Sequence, residues 1–160
     1  MRRKDKEMRD REAMEALLDA AAVCRLGLSP GPEDDGFPYV VPVHFAYQQG
    51  RIYIHSACQG RKMERMKKNG RVCVEVDECL GLKAAGKACG YGSRYRSVIA
   101  FGTARLVEEE AAKRRALQLL MDKYAERRSG QESWTFSGPE VSRVTVIEIE
   151  IERMTGKQGG

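Results

Sequence analysis

The sequence has little with which to build a metal centre, a membrane span or a nucleic-acid groove. It holds two histidines, His44 and His55, and five cysteines, Cys24, Cys58, Cys73, Cys79 and Cys89. No CxxC pair and no His/Cys cluster with zinc-finger spacing occurs among them, so no metal site is expected. No apolar run approaches the length of a membrane-spanning helix. The basic start MRRKDKEMRDRE has no apolar segment behind it, so it is not read as a signal peptide and a cytoplasmic location is the default expectation. There is no GxGxxG and no parallel βαβ alternation, which excludes a dedicated dinucleotide domain. No aromatic residues alternate with the basic ones as a single-strand-binding surface requires, so the net charge of +5 does not point to nucleic acid. Internal repeats and low-complexity segments are absent.

What remains is a chain of 160 residues, 42% hydrophobic and 32% charged, which suits one domain with one core over residues 1–160. Residues 1–9 read as an N-terminal arm. Asp10 can cap a helix through about Ala22, with Met14, Leu17, Leu18 and Ala21 on its apolar face. Val23 to Leu28 reads as a strand, and SPGPEDDGFP as a turn or loop. A long strand follows from Tyr39 to Tyr47. Pro42 lies inside it and cannot donate a ladder hydrogen bond, so this point should be an edge, a bulge or a break. Gln48-Gln49-Gly50 turns the chain into an antiparallel partner.

That partner opens the most informative stretch, RIYIHSACQGRKMERMKKN, residues 51–69. Ile52 and Ile54 face one way, Tyr53 and His55 the other, and Ser56 and Ala57 end the strand. A Gly-containing turn then leads to Arg61-Lys62 at the start of a short helix with Met63 and Met66 inward. A strand ending in hydroxyl and small residues before a basic helix start is suited to an anion. The first backbone N–H groups of a helix are free and its dipole favours negative charge. The competing reading is an ordinary solvated basic helix start. Cys58 beside this turn is read as a passive thiol, and Cys24 and Cys73 as small core residues.

Val72, Val74 and Val76 alternate with polar residues in a half-buried strand. The segment CLGLKAAGKACGYG has no clear period, so a Gly-rich loop or lid is expected over 79–94. Tyr95 to Val107 returns to strand with a bulge or bend at Gly102. Glu108 to Arg127 reads as a helix, ending at Arg127-Arg128, with Leu117, Leu120, Met121 and Tyr124 as its buried stripe. Trp134 stands in a loop before a last strand, Val144 to Ile151. The element order predicts a mainly β fold with flanking helices, an antiparallel barrel.

Four blocks, MRRKDKEM, PYVVPVHFAY, IYIHSACQGRKMERMKKNGRVCVEV and YRSVIAFGTARLVEE, together with the closing TGK at 155–157, resemble the pyridoxamine 5′-phosphate oxidase-related flavoproteins. The likeness is to the branch of nitroimidazole reductase (nitroimidazole resistance) proteins. It implies an FMN-binding split β-barrel, a homodimer with shared sites, and a small, flat, electron-poor aromatic substrate reduced at the expense of NADH or NADPH. It implies a phosphate held by His55, Ser56, Ala57, Arg61 and Lys62, and Pro42, Val43 and His44 beside the flavin ring. Tyr95, Arg96 and Ser97 would reach the site from a partner subunit, and Trp134 would cover the ring. The oxidase's C-terminal substrate-phosphate motif has no counterpart, so oxidation of pyridoxamine phosphate is not expected.

The catalytic groups stay open. His44 and His55 are read either as satisfied structural histidines or as donors near the flavin. Some relatives of this fold ligate haem through a histidine, which keeps a non-catalytic FMN or haem carrier or sensor as the alternative.

Overall fold

The computed structural model describes residues 2–126 and 132–160. Its strands are β1 (Glu7–Met8), β2 (Cys24–Leu28), β3 (Tyr39–Val43), β4 (Ala46–Gln48), β5 (Arg51–Ser56), β6 (Arg71–Lys83), β7 (Gly92–Val107) and β8 (Thr145–Gly159). The helices are α1 (Arg11–Ala20), α2 (Arg61–Lys68), α3 (Glu110–Tyr124) and α4 (Gly138–Arg143). All strand pairs are antiparallel, in the order β3-β2-β6-β7-β8-β5-β4, with β1 added to β8.

The two ends of this order, β3 and β4, are consecutive in the chain. The stretch 39–48 therefore closes the barrel by leaving one neighbour for another. Its first half pairs with β2 and its second half with β5. This is the split barrel expected from the sequence, but the break falls at His44–Phe45 and not at Pro42, which lies opposite Arg25 on the edge strand β3. Pro is tolerated there because an edge strand needs no second set of ladder bonds.

The interior is filled by alternate residues of each strand: Leu26, Ile52, Ile54, Val74, Val76, Val98, Ile147 and Ile149 are essentially inaccessible to solvent. Helix α1 starts where Asp10 Oδ1 accepts the Glu12 N–H at 3.0 Å, and it adds Met14, Leu17 and Leu18 to the same core.

Several expectations are corrected. Residues 79–94 are not a lid: β6 runs to Lys83 and β7 begins at Gly92, joined by a turn over 84–91. This two-stranded ribbon projects beyond the core, so neither face is uniformly buried, and a bulge between Cys79 and Gly81 breaks the alternation that would have revealed it. The last strand extends to Gly159, because β8 serves as partner to β1, β5 and β7. The register shift opposite Phe101–Gly102 leaves Glu152 unpaired there, so the bulge expected at Gly102 lies on the facing strand. On α3 only Ala116 and Leu120 are buried, while Leu117 and Met121 are half-buried and Tyr124 is 38% exposed. The expected helix end at Arg127-Arg128 lies outside the described residues. Cys24 is a core residue, but Cys73 is half-buried on the outer face of β6. The N-terminal arm is tied down through Glu7 and Met8, which pair with Lys157 and Gly156. Helix α4 went unseen in the sequence, although SGPE at 137–140 spells its signature. Ser137 and Glu140 cap each other's backbone N–H.

Candidate functional site

The hairpin of β4 and β5 pairs Ala46 with Tyr53, Tyr47 with Ile52 and Gln48 with Arg51. Continuing that register would set His44 opposite His55 and Val43 opposite Ser56. The ladder stops instead, because β3 turns away to place Val43 against Cys24 and Pro42 against Arg25. The result is a fork. One arm carries Pro42, Val43 and His44; the other carries His55, Ser56 and Ala57. The outer edges of the arms pair with β2 and β8, but the edges that face each other across the fork have no strand partner, so their backbone groups are available to a ligand. Both histidines are exposed and stand at the opening of the fork.

The second arm runs on into α2. The turn ends at Gly60 with φ +121°, a conformation that excludes most side chains, and no side chain caps the helix. Among the described residues no side chain accepts from the first N–H groups of α2. Ser56 is buried at the end of β5, and Lys62, in the first turn of α2, is half-buried. Among the described residues Lys62 has no ion-pair partner, and burial lowers its pKa below the usual lysine value. A desolvated ammonium in the first turn of an uncapped helix is electrostatically suited to an anion.

Arg61 is differently placed. Its guanidinium lies 3.3 Å from Asp34 and 5.5 Å above the Tyr39 ring. Asp34 in turn accepts the Gly31 N–H at 2.8 Å and lies 2.7 Å from Arg65, whose other carboxylate neighbour is Glu33 at 2.5 Å. Arg65 is only 2% exposed, and its nitrogens meet these carboxylates as charge contacts, not as aligned hydrogen bonds. The Arg65 guanidinium holds the Glu33 carboxyl down at about 2, and the Gly31 N–H followed by Arg65 keeps Asp34 below its ordinary value. This acidic 3-10 turn (Pro32–Asp34) braces α2 and steadies Arg61. Sequence reasoning missed Arg65 and Asp34. The signal was the acidic run Glu33-Asp34-Asp35 in a chain whose nearby helix carries five basic residues.

The other expected residues are elsewhere. Tyr95 pairs with Gly159 while Ser56 pairs with Thr145, so the two lie fourteen residues apart along β8. That is roughly 45 Å of strand at about 3.3 Å per residue. Tyr95 sits between Lys6 and Lys157, whose ammonium groups are 5.9 and 5.6 Å from its ring. Arg96 pairs with Glu78 at 2.7 Å, and Ser97 is half-buried between Asp77 and Lys157 in register. Trp134 lies against α3, its backbone N–H donating to Gln118 at 2.9 Å, in a cleft of about 600 Å³ that also takes in Gln48 of β4, away from Ser56. One chain thus gathers Pro42, Val43, His44, His55, Ser56, Ala57, Arg61 and Lys62 about the fork, and leaves Tyr95, Arg96, Ser97 and Trp134 apart. No cluster of three or more metal-ligating side chains occurs among the described residues.

Known structures share this architecture. One is described as a 5-nitroimidazole antibiotic resistance protein, from Bacteroides thetaiotaomicron. It is 30% identical, with a TM-score of 0.79 over 94% of this chain and 85% of that one. The flavocytochrome Anf3 of Azotobacter vinelandii superposes with a TM-score of 0.84 at 24% identity, covering 100% of this chain and 72% of its own. An FAD and haem binding protein of Mycobacterium smegmatis gives 0.83 at 23% identity, covering 96% and 73%. At those identities the last two speak for the fold alone. No curated protein matches the sequence. The family profile described as pyridoxamine 5′-phosphate oxidase matches residues 10–158, nearly the whole of the described barrel. By that match and by the split in its barrel, the chain belongs to the pyridoxamine 5′-phosphate oxidase family.

Proposed function

We propose that this protein is an FMN-binding flavoprotein that reduces a small, flat, electron-poor substrate of the nitroimidazole type with NADH or NADPH. The observation that carries the reading is Lys62, a desolvated cation in the first turn of the uncapped α2, with no counter-ion among the described residues. That donor set fits a phosphate, and the fork leading away from it has unpaired strand edges on which a flat ring system can lie. Lys62, the α2 N–H groups and Ser56 would hold the phosphate, with Arg61 supplying a second, pre-positioned charge. Pro42 to His44 would flank the ring. A bound flavin supplies two-electron chemistry between a nicotinamide donor and an acceptor. The protein contributes orientation, exclusion of water and, at His44 or His55, a proton donor. The 30% identical relative, described as a nitroimidazole resistance protein, supports the substrate class.

The same reading includes a homodimer. Tyr95 to Ser97 are far from the fork of their own chain, so they reach a site only if it belongs to a second copy. The outer face of the sheet is suited to that copy. Across it run Cys73, Phe101 and Arg153, then Glu75, Ile99 and Thr155, then Asp77, Ser97 and Lys157. Ile99 is exposed and Phe101 half-buried at the centre, with acids on β6 and bases on β8. A two-fold axis near Ile99 would set the acidic side of one copy against the basic side of the other.

A visible spectrum of the purified protein, followed by anaerobic addition of NADH or NADPH, tests the function. Yellow protein bleached by the nucleotide and recoloured by a nitroimidazole is the expected result. A well-folded protein that binds added FMN no better than millimolar refutes it. A second reading, a carrier or sensor of FMN or haem, is favoured by the exposed His44 at the fork. A Soret band, or a flavin inert to both nucleotides, would decide for it.

A further inference from the structure

At the point where the barrel divides, Phe45 belongs to neither β3 nor β4. Its backbone groups find no strand there, and both go to one side chain. The Phe45 N–H donates to the Tyr124 hydroxyl oxygen at 3.0 Å, and that hydroxyl lies 2.8 Å from the Phe45 carbonyl and 2.7 Å from the Ala22 carbonyl. One proton serves two acceptors, so the hydroxyl bridges the end of the α1 segment and the apex of the fork. The ring of the same tyrosine packs on His44 with centroids 4.7 Å apart and planes inclined by 35°. Its neighbour Lys123 completes the clasp, with its ammonium 3.2 Å from the Leu18 carbonyl and 3.8 Å above the Phe45 ring.

We propose that Tyr124 is a positioning residue for the flavin site: its hydroxyl substitutes for the missing strand partner at Phe45, holds the fork open, and sets the place of His44. The inference rests on the fork being the ring site of the proposed function. Its physical basis is independent of that. A buried peptide group without a partner is costly, so the divergence of β3 from β5 is stable only where something else satisfies Phe45. Continued pairing of β4 with β5 would close the fork, and His44 would then face His55 across a ladder. Desolvation raises the Tyr124 pKa, so the hydroxyl stays protonated and able to donate at neutral pH. The Tyr124 side chain is 38% exposed yet its hydroxyl is bound at three backbone atoms, so it serves as a polar latch at the rim of the barrel and not as a core residue.

The test compares Tyr124→Phe, which keeps the ring against His44 and removes the hydroxyl, with Leu120→Ala, which loosens α3 without touching the fork. In the protein without flavin, amide exchange at Phe45 should quicken at least tenfold in Tyr124→Phe beyond any change in global stability, and should track global stability in Leu120→Ala. With ligand, Tyr124→Phe should weaken FMN and riboflavin in parallel, by about fivefold to tenfold for one lost hydrogen-bond network, leaving their ratio intact. Leu120→Ala should lower the melting temperature and leave both affinities near wild type. Unchanged Phe45 exchange, unchanged flavin affinities in Tyr124→Phe, or equal flavin losses in the two variants would each overturn the proposal. Should wild type bind no flavin, the exchange comparison still decides whether Tyr124 is the latch, so the two readings fail separately.

Discussion

Replacing Lys62 by methionine removes one charge and keeps most of the side-chain volume, and two opposite consequences follow. Burial lowers the Lys62 pKa, so the folded state binds this proton less tightly than the unfolded state does. Stability contributed through such a group rises with pH, and the charged form is a burden on the empty protein at neutral pH. Lys62→Met should therefore leave the melting temperature of the flavin-free protein unchanged or slightly higher. For FMN the sign reverses, because the phosphate is the counter-ion that the site lacks. A charge-assisted hydrogen bond is worth about 1.5–3 kcal/mol, so FMN affinity should fall roughly tenfold to a hundredfold. Riboflavin lacks the phosphate and should bind as before. Arg61→Met should cost less than Lys62→Met, since Arg61 already shares Asp34 at 3.3 Å. Titrating both ligands by flavin fluorescence at two salt concentrations checks each of these. Equal losses for FMN and riboflavin would mean a damaged fold, and an FMN affinity unchanged in Lys62→Met would refute the phosphate assignment.

The brace behind α2 has a pH signature. Glu33, held at about 2 by Arg65, contributes stability that is present above its ordinary pKa of 4.5 and is lost as pH falls toward 2. The melting temperature of wild type should thus exceed that of Arg65→Met by a margin that shrinks over this window; a margin constant from pH 6 to pH 2.5 would count against the ion cluster. An added Cβ at Gly102 would run into the Glu150 carbonyl oxygen across the β7–β8 pair, so Gly102→Ala should cost about 2–4 kcal/mol in urea unfolding, and a loss below about 0.5 would mean that the bulge relaxes freely. Ile99→Asp sets a third acid beside Glu75 and Asp77 at the centre of the proposed dimer face. Sedimentation should show monomers with weakened FMN binding, and a dimer of wild-type affinity would move the interface elsewhere.

Much of the chain was legible because its information is local. Asp10 at the start of α1, the alternation Val72-Val74-Val76, and Gln49-Gly50 with positive φ at both residues each declare themselves within a few residues. So does the helix start at Arg61-Lys62, since an uncapped N-terminus after a glycine follows from sequence spacing. Whole-chain motifs then suggested the family, and the barrel carries it. What was not legible depends on which strands neighbour one another. The ribbon of 79–94 is held by two stretches pairing with each other and burying little, so no hydrophobic period marks it. The polar end of β8 is strand only because β7 and β1 lie beside it.

The site divides in the same way. Residue type and spacing alone put two cationic side chains and the first N–H groups of a helix together at the start of α2. Only the tertiary structure decided that the cation left without a partner is Lys62, because Arg61 and Arg65 are engaged by an acidic turn some thirty residues earlier in the chain. Likewise, of the edge, bulge or break that sequence allowed at Pro42, the structure makes it an edge position on β3, and the barrel divides instead at Phe45. A proline can sit on an edge without ending a strand. A strand changes partners where another group satisfies its backbone, and here that group is a hydroxyl 79 residues away, on a helix brought there by packing.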